Sequence, residues 1–435
     1  MKNVIIGIDG GCFESIQYLL DKDELPNFKF LINNGFSSEL EVTTPHTTIP
    51  SWPCLFSGLN PQKLGYLTFI HPINGVFNSN VWREKSIFSI KNIRIFTLNV
   101  PGTYPAWEIN GQMITGILSP SFSSFPKQLE PLYSKDWIIE GRTLIEIFKA
   151  FEFKKNLFLQ KLDEDFNLLA YVIRVPDAIS HRIFGTEKIV NNHIQVGYKK
   201  IDKFIGELIK RKDIDNIIIF SDHGLKFYKK VIHFPRFLEK KRLLYLNKAK
   251  GLKINSIIIK LYDYVRPFMK IDLSKRLYNK LSISKKRDSE IQKERALQHV
   301  DKDRPQSFIQ KLTSNVGAIF LIDKDRQKKQ MIKKVLEEDK YIQEVVEFDI
   351  NGFPDLMVIL DDKFLFTTES SYFIKRKTET FSHTNRGLFI AYGNNIKKGN
   401  VPLVDYQEIA PTILRLYNIE KPDYMEGDPI NLFKI

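Results

Sequence analysis

Cysteine is nearly absent from this chain: Cys12 and Cys54 are the only two in 435 residues. So small a number excludes a disulfide-built scaffold and suits a reducing compartment. Long apolar runs are missing as well. No stretch of about 18 apolar residues occurs, so a membrane-spanning helix is not expected. The opening MKNVIIGIDGG meets Asp9 after a short apolar run, too brief for a secretory signal. Internal repeats and low-complexity tracts are also missing. These absences lead to the expectation of a cytoplasmic enzyme or binding protein.

What is present describes a folded chain. Hydrophobic residues make up 43% and aromatics 12%, which places the sequence well away from disordered compositions. The length fits one large domain with an insertion, or two domains. Net charge is +14, and it is concentrated. Residues 236–312 hold 21 Lys and Arg against 8 Asp and Glu, a local +13, so the rest of the chain is close to neutral.

The first 235 residues alternate short apolar runs with amphipathic stretches. Asn3–Asp9, Ile93–Val100, Asn167–Val175 and Asn216–Asp222 read as buried strands. Between Asn191 and Arg211, Ile194, Tyr198, Ile201, Ile205 and Ile209 recur at helical spacing. Alternating strand and helix predicts an α/β fold with a largely parallel sheet flanked by helices. The pattern turns helical and charged over 236–312, where Ile254, Ile257, Ile258, Leu261 and Val265 would share one helix face. It then returns, with Val316–Ile322, Asp355–Leu360 and Gly387–Gly393 reading as strands. The expected organisation is therefore a core of 1–235 and 313–435, interrupted by a basic helical insertion or cap at 236–312.

Chemistry-bearing residues stand at the strand ends. Asp9 closes the first strand and is followed by Gly10 and Gly11, which let the chain turn sharply. Asp177 and His181 follow Val175 at i and i+4, on one face of a helix. Asp222 and His223 close IIIFSDHG, and His383 precedes a strand in FSHTNRGLFIAYG. Thr47 and Thr48 precede a helix start in TTPHTTIPSWPCLFSG, Thr43 to Gly58.

Each of these has an ordinary reading. A threonine there can cap the helix. An aspartate at a strand end can cap the next one, and a lone histidine is commonly structural. The combination reads differently, because ligands of open α/β sheets gather at the carboxyl ends of strands. Three carboxylates and three imidazoles suit two divalent ions, zinc favoured by the mixed nitrogen and oxygen set and manganese second. Two such ions about 4 Å apart can clamp the attacking and leaving oxygens of a displacement at phosphorus. A hydroxyl at a helix N-terminus could be the nucleophile aimed at it.

The ordered set GIDGG, PHTTIPSWPCLFSGLNPQKLG, PDAISH, SDHG and SHTNRGLFIAYG resembles the alkaline phosphatase superfamily. The resemblance is closer to its type I phosphodiesterase/nucleotide pyrophosphatase branch. The tail DYQEIAPTILRLYNIEKPDYMEGDPI resembles that family's closing segment. HFPRFLEKKRLLYL resembles the start of an insertion in members described as predicted phosphohydrolases or phosphomutases. The resemblance implies an alkaline-phosphatase-like core in which Asp9, Thr48, Asp222 and His223 hold one metal. Asp177, His181 and His383 would hold the other. The family's T-x-P pattern falls on Thr48-Ile49-Pro50, which implies Thr48 as the nucleophile. The implied mechanism has two steps, formation of a phospho-threonine and its hydrolysis or transfer to an acceptor alcohol.

Two departures narrow the substrate. Trp52 stands where a sulfatase pattern needs arginine, which argues against sulfate esters. The asparagine that nucleotide pyrophosphatases carry about twenty residues after the nucleophile is replaced by GYLTFIH, Gly65 to His71, which argues against nucleotide diesters and leaves Thr68 and His71 as polar candidates for substrate binding. His46, two residues before Thr48, is a third.

The leading expectation is a metal-dependent hydrolase of phosphate esters, mono- or diester, small-molecule or lipid-linked. One alternative is a phosphoryl or head-group transferase or phosphomutase using the same intermediate. Another is a basic membrane-surface or polyanion-binding protein with a degenerate site. The +13 segment would suit peripheral contact with an anionic inner membrane surface. No nucleic-acid-binding motif accompanies it, so nucleic acid is not the expected partner.

Overall fold

The structure, a computed structural model, describes residues 1–71, 74–130, 141, 143–183, 186–243, 307–321, 324–369 and 374–434. The chain divides into two units, Met1–Phe227 with Thr380–Ile435, and Tyr228–Glu379.

The first unit is built on a nine-stranded sheet. Its order is Gly399–Asp405, Phe36–Glu41, Arg386–Gly393, Asn216–Phe220, Asn3–Ile8, Leu168–Ile173, Ile95–Val100, Gly111–Thr115 and Ser124–Phe125. Seven strands run one way; Arg386–Gly393 and Ser124–Phe125 run the other. The central strands NVIIGI, LLAYVI and NIIIF are buried along their whole length, as strands covered by helices on both faces must be.

Alternate side chains feed two cores. Ile5, Val172 and Phe220 face Trp52, Leu55 and Phe56 of the Thr48–Ser57 helix and Ile409 and Ile413 of the Ile409–Leu416 helix. Val4, Ile6 and Ile8 face the other way. They meet apolar residues from the helices Phe13–Asp21, Pro26–Asn34, Leu144–Lys161 and Glu187–Ile209. The expected helical spacing falls on the last of these, with Ile194, Tyr198, Ile201 and Ile205 buried. Its Asp202 is buried too and caps the Pro26–Asn34 helix from outside. Asp202 Oδ1 accepts the N–H groups of Asn27 and Phe28 at 3.0 and 2.8 Å.

The second unit contains a four-stranded antiparallel sheet of order Ser307–Lys311, Val316–Leu321, Leu356–Leu360 and Ile342–Glu347. The Arg326–Glu337 helix contributes Ile332 and Leu336 to its core, beside Phe234 and Phe237. The strands near 316 and 356 thus do not rejoin the parallel sheet as expected. They pair antiparallel with each other and with nearby strands, and the division into units falls at 227/228 and 379/380. Of the basic segment, residues 244–306 lie outside the described residues, and with them the apolar face from Ile254 to Val265. No helix among the described residues is long and apolar enough to cross a membrane.

Candidate functional site

Three parallel strands deliver the first candidate ligands together. Asn3–Ile8 lies between Leu168–Ile173 and Asn216–Phe220, pairing Ile8 with Ile173 and Gly7 with Phe220. The chains following them therefore leave the sheet side by side. Asp9 is fixed through its backbone, donating its N–H to Ile173 O at 2.9 Å and accepting the Asp177 N–H at 3.3 Å. Gly10 turns away at φ +74°, a left-handed conformation that glycine adopts without strain. Its N–H donates to Asp222 Oδ1 at 3.3 Å. The Val175–Arg182 helix, with Pro176 in its first turn, carries Asp177 and His181 one turn apart. Arg386–Gly393 runs antiparallel to its neighbours, so its starting end lies on the same sheet edge and brings His383 there.

The side chains converge in two groups whose ligand-type atoms lie within 4.8 Å of one another: Asp177, His181 and His383, and Asp9, Asp177 and His223. His181 Nε2 is 3.1 Å from Asp177 Oδ1 and 3.0 Å from His383 Nε2. His383 Nε2 is 3.4 Å from the same Asp177 oxygen. His223 Nε2 lies 3.4 Å from both Asp9 Oδ1 and Asp222 Oδ2. The His223 and His383 rings stack with centroids 3.7 Å apart. Asp177 is thus common to both groups, and Asp222 flanks the second.

Burial makes the cluster electrostatically tense. Asp9, Asp222 and His223 are fully buried, whereas the His181 side chain is 43% exposed and forms the mouth. Burial and the neighbouring Asp177 charge raise the Asp9 pKa, and burial with Asp9 raises that of Asp222. Asp177 is buried as well, yet His181 and Arg174 hold it well below the usual carboxylate range. Burial opposes a charge on His223, but Asp222 and Asp9 overcome it and lift the ring to about 9. His383, buried and facing His223, falls to about 3. Asp9 Oδ1, Asp177 Oδ1, Asp222 Oδ2 and His223 Nε2 are buried and make no hydrogen bond of acceptable geometry. Apart from the imidazole–carboxylate contacts just given, these four atoms are unsatisfied, which is costly for buried polar atoms, and all four are of metal-ligating type. The donor set therefore fits divalent cations.

Thr48 opens the helix Thr48–Ser57. Thr47 stands at the N-cap position, but its side chain caps nothing, and Ile49 departs from helical geometry before the run continues from Pro50. Two residues upstream of Thr48, the His46 carbonyl lies 3.3 Å from His383 Nδ1, which ties this segment to the ligand cluster. The His46 ring is buried, and burial with the His383 and His223 charges lowers its pKa to about 3. Thr68 and His71 are engaged in their own hairpin. The Thr68 hydroxyl donates to Ile70 O at 3.0 Å, and His71 Nδ1 accepts the Asn74 N–H at 3.0 Å.

One participant escaped the reading of the sequence. Arg174 Nη2 donates to Asp177 Oδ2 at 2.6 Å, and its Nε donates to Asp9 Oδ2 at 3.3 Å. Its only sequence signal is a basic residue three positions before Asp177 at a strand end, indistinguishable from surface charge.

The sequence matches the family type I phosphodiesterase/nucleotide pyrophosphatase over residues 3–387. The chain belongs to this family. No curated protein matches it in sequence. Among solved structures, murine ectonucleotide pyrophosphatase/phosphodiesterase 5 is similar at TM-score 0.61 and 14% identity, each chain covered in full. An inactive threonine-to-alanine form of the murine protein in complex with AMP is similar at 0.61 and 13%, again over all of both chains. The human protein is similar at 0.58 and 15%, with the same coverage. These likenesses show the fold, the alkaline-phosphatase-like arrangement of a large, mostly parallel sheet between helices. Family members are phosphodiesterases and pyrophosphatases, which agrees with the leading expectation at that level.

Proposed function

We propose that this family member is a metal-dependent phosphodiester hydrolase that works through a phospho-threonine on Thr48. The observation that carries the reading is the buried cluster of Asp9 Oδ1, Asp177 Oδ1, Asp222 Oδ2 and His223 Nε2 on one sheet edge, which no hydrogen bond satisfies beyond the contacts of carboxylates with histidines. Asp9, Asp222, His223 and Thr48 would hold one divalent ion, and Asp177, His181 and His383 the other, zinc favoured by the nitrogen and oxygen donors. Bound there, the ions would neutralise phosphoryl oxygens and stabilise charge on the attacking and leaving oxygens.

The chain's own residues do the rest. Thr48 Oγ gives up its proton and bonds to phosphorus as the bond to the leaving oxygen breaks, and that oxygen departs as the alcohol or its anion. Water then cleaves the phospho-threonine and restores the hydroxyl. Burial of Asp9, Asp222 and His223 keeps bulk water from the deep side, while the exposed His181 marks the entry. The inactive threonine-to-alanine form of the murine protein, seen in complex with AMP, supports a threonine at the chemistry.

The test is a panel of phosphodiesters, pyrophosphates and monoesters with zinc or manganese added, for the wild type and Thr48→Ala. Acid quenching of the wild type with phosphorus-labelled substrate should leave label on the protein, and Thr48→Ala should bind metal yet carry none. Full turnover in Thr48→Ala would exclude the mechanism.

A further inference from the structure

We infer that Arg174 is the positioning residue of the centre, a single guanidinium that orients both Asp9 and Asp177. Each carboxylate has two oxygens, and the structure divides them the same way twice. Oδ2 of Asp9 and Oδ2 of Asp177 face Arg174, at 3.3 and 2.6 Å. Oδ1 of each faces the histidines, Asp9 Oδ1 toward His223 and Asp177 Oδ1 toward His181 and His383. Those two Oδ1 atoms are among the buried atoms without a hydrogen bond. Arg174 thus occupies the outward oxygen of each carboxylate and leaves the inward one for a cation.

Arg174 is itself well held. Its side chain is 17% exposed, and its backbone is the N-cap of the Val175–Arg182 helix, where its carbonyl accepts the Ala178 N–H at 2.9 Å. It borders a small cavity that Asn99 and Lys154 also line. There Lys154 Nζ donates to Asn99 Oδ1 at 3.0 Å, and Asn99 Nδ2 donates to Val172 O at 2.7 Å. The chemistry calls for arginine. Its planar fork spans two acceptors at fixed angles, whereas a lysine ammonium is a point charge on a flexible stem. Groups that orient metal ligands from behind contribute tenfold to a hundredfold in metal affinity. Because Arg174 contacts both carboxylates, its removal weakens both ions together. Removal of His181, which belongs to one ligand group, weakens one.

This inference rests on the two-ion reading above, and the experiment separates the two. The metal-free full chain is titrated with zinc against a chromophoric chelator, for wild type, Arg174→Met, Arg174→Lys and His181→Ala, with circular dichroism to establish folding. Two zinc affinities are expected in the wild type, both weakened roughly tenfold to a hundredfold in Arg174→Met. One should weaken in His181→Ala, and Arg174→Lys should restore at most one of the two. The spectrum of the cobalt-loaded protein should shift in Arg174→Met, since ligand orientation changes. Unchanged affinities in Arg174→Met, or weakening confined to one ion, overturn the inference and leave the two-ion reading standing. Should Arg174→Met fail to fold, wild-type affinities in a folded Arg174→Lys overturn it equally. A wild type that binds no zinc overturns both readings.

Discussion

Trp52 occupies the space that Gly7 leaves open: a Cβ on residue 7 would come within 2.4 Å of the Trp52 ring and 2.8 Å of Val172 Cγ2. Gly7 lies two residues before Asp9 on the strand Asn3–Ile8, and Trp52 lies four residues after Thr48 on its helix. Their contact sets how closely the helix carrying the proposed nucleophile Thr48 approaches the strand that ends in the proposed ligand Asp9. Gly7→Ala should destabilise the fold by about 1–3 kcal/mol through overpacking. It should also lower kcat, because the helix must move. Gly7→Ala combined with Trp52→Phe should recover part of the loss, giving a measurable coupling in a double-mutant cycle by denaturant unfolding. Additive effects would show that the two residues do not set this distance together.

On the two-ion reading proposed above, the depth of the cluster predicts unequal metal exchange. His181 is 43% exposed and His383 13%, whereas Asp9 and His223 are fully buried. A chelator added to the zinc-loaded chain should remove one equivalent quickly and the other slowly, followed by indicator absorbance. His181→Ala should abolish the fast phase and leave the slow one. Release of both ions in a single phase would contradict this asymmetry.

What could be read in advance follows from the kind of signal each feature carries. The strands that carry Ile5 and Ile218 were legible through their apolar runs, NVIIGI and NIIIF, because strands covered on both faces need such side chains along their length. The run VGAIFL is just as apolar, yet it belongs to a separate antiparallel sheet, where Val316 pairs with Ile359. Apolarity reports burial and not the identity of the pairing strand. The gathering of Asp9, Asp177 and Asp222 was legible for a similar reason, since they follow strands that end on one edge. That Asp177 lies within reach of both His181 and His223 depends on side-chain direction, which spacing does not encode. Arg174 was hidden because a basic residue at a strand end usually reaches solvent, and only the fold turns it onto two carboxylates.

Asp202 offers a test of the scaffold apart from the chemistry. Its Oδ1 accepts the Asn27 and Phe28 N–H groups at 3.0 and 2.8 Å, and its Oδ2 accepts from the Asn27 amide at 2.8 Å. Asp202→Ala leaves those donors without partners at a helix start and should cost about 1–3 kcal/mol. Asp202→Asn keeps one carbonyl oxygen for the two backbone donors and should cost less. Urea unfolding monitored by circular dichroism measures both, and equal losses would show that the oxygen's acceptor role is not what matters.

The histidines predict a pH optimum for the stability of the metal-free chain. His46 and His383 have folded-state values near 3, each lowered chiefly by burial, against an ordinary value of 6.5. Between pH 6.5 and about 3 the unfolded chain binds protons on these rings that the folded chain refuses. Their contribution is therefore complete above pH 6.5 and is lost as pH falls through that window. His223 runs the opposite way. Burial disfavours its charge, but Asp222 and Asp9 raise it to about 9, so its contribution is complete below pH 6.5 and disappears as pH rises through 9. From these three rings alone the thermal midpoint of the metal-free protein would peak near pH 6.5, while the raised values of Asp9 and Asp222 favour the folded chain as pH falls and so flatten the acid limb. His46→Asn should make the acid limb shallower and leave the alkaline limb in place, because His46 titrates only on the acid side. An unchanged acid slope in that variant would mean that His46 is protonated in the folded protein, and that its ring faces a compensating negative charge.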